Sequence, residues 1–96
     1  MSEAQQLKSR GNDAFRLGRW LAAVRYYSDA LEILRLIVHP SKSVYELVGV
    51  LLSNRAEARL RFAVVPGRDH ETANNMLQKV VDDCETVLHS GWEQLV

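Results

Sequence analysis

Apolar side chains recur along this chain at the spacing of one face of a helix. Ala23, Tyr27, Ala30, Leu31, Leu34 and Val38 form one such stripe, and Met76, Leu77, Val80, Val81, Cys84, Val87 and Leu88 form another. Helix-breaking residues are few and fall between the stripes. Ser2 followed by Gln5 has the pattern of a capping box and predicts a first helix running to about Leu17. Gly18-Arg19 then predicts a tight turn, and a second helix starts near Trp20. His39-Pro40 closes it, because Pro lacks an N–H and restricts the residue before it.

The segment Val44–Leu52 reads two ways. Its β-branched residues suit a strand. A capping-box pattern at Ser43 and Glu46 precedes it, and the helix formers Arg55 to Leu60 follow it, so a third helix is the better reading. Pro66-Gly67 marks a break, with a disordered insert over 63–68 as the alternative to elongated helices. Asp69 is placed to cap a fourth helix carrying Glu71 in its first turn. Ser90 and Glu93 form a further capping pattern before Trp92 to Val96, which reads as the start of a fifth helix. The fold class is therefore all-α, with antiparallel helix pairs. The two pairs echo each other: Gly11-Asn12 with Ala14 corresponds to Ser53-Asn54 with Ala56, and Ala23, Tyr27 and Ala30 have the spacing of Val80, Cys84 and Val87.

Composition narrows the class further. With 96 residues, 47% hydrophobic and 25% charged, the chain is the size of one folded domain and too apolar to be disordered. Its longest uncharged stretch, Leu47 to Asn54, is far short of the roughly 20 residues a membrane helix needs. Twelve basic and twelve acidic residues balance to zero, which argues against a nucleic-acid partner. One cysteine, Cys84, forms no internal disulfide, and a polar start without an apolar segment predicts an intracellular, cytoplasmic protein.

The residues Leu7 to Phe15, Gly18-Arg19-Trp20, Ala23, Tyr26-Tyr27 and Ala30-Leu31 together resemble a tetratricopeptide repeat (TPR). The small residues Gly11, Ala14, Ala23 and Ala30 let paired helices approach, while Leu7, Trp20, Tyr27 and Leu31 fill the remaining space. Ser53 to Ala56 and Asp82 to Leu88 resemble a second repeat. The resemblance implies a single TPR domain over 1–96, stacked as a solenoid. Repeat one covers about 3–38, and an elongated repeat two about 43–89. Residues 90–96 then begin a capping or third-repeat helix.

A subset of this family, the heat-shock co-chaperones, grips the acidic C-terminal tails of chaperones in a carboxylate clamp. At the matching positions this sequence has Lys8, Asn12 and Asn54. Lys8 and Asn12 stand at i and i+4, on one helix face. Lys supplies a charged donor and Asn a neutral NH2, both suited to a carboxylate. The resemblance also expects a Lys and an Arg from the fifth helix. Phe15, Arg16 and Glu57 are candidate groove contacts. Glu57 lies three residues after Asn54, where its charge opposes an acidic ligand.

Other chemistry has little support. The three histidines and Cys84 lack metal-ligand spacing, and no phosphate loop or catalytic constellation is present, so no enzyme activity, cofactor or metal is expected. Cys84, Trp20 and Tyr27 read as core, Gly49 as a close-packing site, and Arg55, Arg59 and Arg61 as a solvated basic face. The leading expectation is a non-enzymatic, co-chaperone-like adaptor binding an extended acidic C-terminal peptide, such as that of a heat-shock chaperone. The alternative is a structural fragment that dimerises, or docks on another protein, through its apolar face.

Overall fold

The structure, a computed structural model, describes residues 2–65, 67 and 69–89. Four helices follow in order: α1 (Ser2–Arg16), α2 (Trp20–Arg35), α3 (Lys42–Ala63) and α4 (His70–His89). Among the described residues there is no strand. The Ser90/Glu93 cap and the fifth helix at 92–96 lie outside the described residues, as do Pro66 and the side chain of Cys84.

The turn between α1 and α2 is fixed locally. Gly18 has φ +73, its N–H donates to Phe15 O, and the Arg19 N–H donates to Ala14 O. This pair of bonds is a Schellman motif, which satisfies the last carbonyls of α1 and requires a left-handed residue that glycine supplies without strain. The chain then reverses, and α2 packs back along α1.

Helix α2 stops at Arg35, short of the predicted end at Val38. Leu36 and Ile37 donate to Ile33 and Leu34, so the last turn tightens to i→i−3 bonds. The β-branched pair Ile37-Val38 gains little from continuing a helix, and Pro40 already forces His39 out of it.

Helix α3 settles the ambiguous segment: Val44 to Leu52 is helical. Its cap is Ser41, whose Oγ accepts from the Val44 N–H at 3.3 Å, and Ser43 lies inside the first turn. The capping residue thus stands two positions before the expected one, directly after Pro40, where the chain is already extended. Helix α3 packs against both α2 and α4, and its buried positions (Val44, Leu47, Leu51, Leu52, Ala56, Ala58, Ala63) fall on more than one stripe. That two-sided burial removes a clean amphipathic period. Asp69 caps α4 as expected, with Oδ1 accepting from Thr72 N–H at 2.6 Å. At 22 and 20 residues, α3 and α4 are longer than α1 and α2, at 15 and 16.

Each helix packs mainly on its neighbours in sequence. The core is built from small residues around a few large ones. Ala4, Ala14, Ala23, Ala30 and Ala58 are buried with Tyr27, Leu34, Val44, Leu47 and Leu51. Gly11 is buried too, whereas Leu7, Trp20 and Leu31 are only half-buried. Tyr27 and Leu51 are the largest fully buried side chains among the described residues. No helix of the described residues is long and apolar enough to cross a membrane.

Candidate functional site

Helices α1 and α3 present matching residues to a shared pocket of about 380 Å³. Asn12, Phe15 and Arg16 line it from α1; Asn54, Glu57 and Arg61 line it from α3; Tyr27 of α2 completes it. The spacing explains the grouping. Residues 12, 15 and 16 share one helix face, as do 54, 57 and 61, two turns apart end to end. Five of the six residues singled out from the sequence therefore meet in one place. Lys8 is one turn before Asn12 on the same face of α1, half-buried, and does not line the pocket.

The two asparagines are both half-buried. The Tyr27 hydroxyl donates to Asn12 Oδ1 at 2.7 Å. Burial raises the Tyr27 pKa above its ordinary value, with the Arg16 charge opposing the shift to a lesser degree. The hydroxyl is therefore a protonated donor at any physiological pH.

Charge in the pocket is partly paired. Arg61 Nε donates to Glu57 Oε1 at 2.9 Å, and its guanidinium carbon lies 5.9 Å from the centre of the Phe15 ring. Phe15 in turn meets Trp20 edge to face, with centroids 5.0 Å apart. This chain of contacts holds Arg61 at the pocket wall by ion pair and cation–π attraction. Arg16 pairs with Asp13 on the exposed face of α1. Arg16 and Arg61 against Glu57 sum to plus one among the lining residues, Asp13 outside the lining offsets Arg16, and Glu57 is engaged with Arg61 rather than opposing a ligand alone.

Two contributors were not evident from the sequence as functional. Arg61 reads there as part of a solvated basic face with Arg55 and Arg59. Its spacing of seven residues from Asn54 is the signal that puts it on the pocket side. The other two diverge from it: Arg55 donates to Ser28 Oγ at 3.2 Å across the α2–α3 interface, and Arg59 is half-buried. Tyr27 reads as core and is core, yet its hydroxyl also reaches the pocket. Nothing in local sequence reports that reach.

A second, more apolar groove of about 520 Å³ lies between α2 and α3, lined by residues including Leu31, Leu34, Ile37, Val44 and Val48. Among the described residues no cluster of three His, Cys, Asp or Glu could hold a metal ion. Comparison with known proteins finds no matching family model, curated protein or solved structure, so the functional reading rests on these residues alone.

Proposed function

We propose that this chain is a non-enzymatic adaptor of tetratricopeptide type, a single domain over 1–96 that binds an extended acidic C-terminal peptide. The observation that carries the reading is the convergence of Asn12 and Asn54, from separate helices, on one pocket with a positive lining. A chain-terminal Asp offers two carboxylates. Asn12 and Asn54 donate their NH2 groups to them, and Lys8 supplies a charge from one turn along α1. Arg16 and Arg61 add to the attraction, and Phe15 gives an apolar wall for the adjoining side chain. A tail ending Glu-Glu-Val-Asp, of the kind heat-shock chaperones carry, has the matching chemistry, and a cytoplasmic co-chaperone role follows from it.

Calorimetric titration of the variants tests this. Asn12→Ala and Asn54→Ala each remove one hydrogen bond to a charged group, which predicts a loss of about 10- to 100-fold in affinity for a free-acid Glu-Glu-Val-Asp peptide. Wild-type affinity in Asn54→Ala with an unchanged helical spectrum contradicts the reading.

A second reading has one observation in its favour. Leu36 and Val38 are exposed on either side in sequence of Ile37, which lines the apolar groove between α2 and α3. Self-association or docking through that face would cover them. Light scattering across a concentration series separates the two readings: a dimer supports this one, and a strict monomer leaves the peptide groove.

A further inference from the structure

Tyr27 has two different jobs in the fold, and they are separable by one atom. Its ring is buried against Gly11, with the ring carbons so close that a β-carbon at position 11 would fall 2.5 Å from one of them. Its hydroxyl passes that contact and donates to Asn12 Oδ1 at 2.7 Å, at the pocket lined by both residues.

The direction of that bond matters. A carboxamide is planar, with an acceptor on one edge and a donor on the other. When Oδ1 accepts from Tyr27, the NH2 is left for the pocket. Turning the amide over would aim its NH2 at the hydroxyl and take away the acceptor for the tyrosine proton. The tyrosine proton would then need another acceptor, so the bond favours the orientation with the NH2 toward the pocket.

We infer that Tyr27 is a positioning residue for the ligand: by holding the Asn12 carboxamide with its NH2 toward the pocket, its hydroxyl makes Asn12 a ready donor, so a terminal carboxylate oxygen meets that NH2 already oriented. The inference rests on the peptide-end reading above and adds what orients one of its two amide donors. A free asparagine side chain is ambidextrous, because a half-turn turns its oxygen, which repels a carboxylate, toward the ligand instead. The Tyr27 bond removes that second option. Arg16 and Arg61 contribute charge, whereas the fixed amide contributes one directed hydrogen bond.

The test uses the full chain and Tyr27→Phe, which keeps the ring over Gly11 and deletes only the hydroxyl. Two peptides are titrated, Glu-Glu-Val-Asp as the free acid and as the C-terminal amide. The Asn12 side-chain NH2 signals are followed by NMR in the unliganded protein. Tyr27→Phe is expected to bind the free acid about 3- to 10-fold more weakly, the size of one hydrogen bond's effect, and to lose nothing further in an Asn12→Ala background. The Asn12 NH2 signals should shift without ligand, and thermal unfolding should confirm the fold. Unshifted Asn12 signals overturn the inference whatever the peptides do. Wild-type affinity for the free acid retained in Tyr27→Phe also overturns it, and leaves the function intact. If the wild-type chain binds acid and amide equally, the proposed function fails, and this inference fails with it.

Discussion

Gly11 and Tyr27 are in such close contact that a β-carbon on Gly11 would stand 2.5 to 3.0 Å from three carbons of the ring. The ring is fully buried, so it yields only by displacing packed neighbours. Gly11→Ala gains about 1 kcal/mol of helix propensity and loses about 1–3 kcal/mol to overpacking. The expected result is a lower melting temperature and weaker peptide binding, because the displaced ring carries its hydroxyl away from Asn12. In a Tyr27→Ala background the same change should turn neutral or stabilising, a sign reversal that a double-mutant cycle reads directly.

Glu57 is the acidic residue of the pocket lining, and it is held by Arg61. Both side chains are about half exposed, so the pair contributes little to stability, under about 1 kcal/mol. Its effect is on the ligand. Glu57→Gln should leave the melting temperature nearly unchanged and tighten binding of an acidic peptide about 2- to 5-fold at low salt, with the gain shrinking as salt screens it. Weaker binding in Glu57→Gln would mean that the carboxylate holds Arg61 in place rather than competing with the ligand.

Tyr27 also predicts an alkaline limit. The unfolded phenol ionises near its ordinary pKa, roughly 10. In the fold, burial raises that value. Between the two, the unfolded state releases the proton first, so stability falls as pH rises. The stabilisation is fully present below the unfolded value and is lost as pH passes upward through the folded one. Tyr27→Phe should lack this portion of the alkaline loss in denaturation curves taken at increasing pH.

Asp69 caps α4 through the Thr72 N–H. Asp69→Ala should cost about 0.5–2 kcal/mol, measured by urea denaturation. Asp69→Asn keeps a capping oxygen and should recover much of it. The peptide pocket is built from α1, α2 and α3, so binding should be unaffected in both.

Features set by neighbours in sequence were legible in advance. The Gly18 turn, the break at Pro40 and the Asp69 cap each depend on a few adjacent residues, and they divide the described residues into four helices. The end of α2 was less legible, because the β-branched Ile37-Val38 pair weakens the helix before Pro40 ends it. The cap of α3 had two serines to choose from, and chain geometry after Pro40 selected Ser41. Helix α3 hid its character because it is buried on two sides.

The pocket divides in the same way. Asn12 and Asn54 were legible as a pair through their resemblance to a carboxylate clamp, with which their equivalent places in the two helix pairs agree. Arg61 was legible only through its seven-residue spacing from Asn54. The Tyr27–Asn12 bond joins residues 15 apart that the α1–α2 turn brings together. Periodicity reports that a tyrosine is buried, and says nothing of where its hydroxyl ends.

The central claim is that Asn12 and Asn54 form a site for a peptide's terminal carboxylate. The most direct measurement is a paired calorimetric titration of the wild-type chain with a Glu-Glu-Val-Asp peptide as the free acid and as its C-terminal amide. Binding of the acid at least 10-fold tighter, the effect of about one charged hydrogen bond, is the expected result. Equal binding of the two peptides would contradict the account.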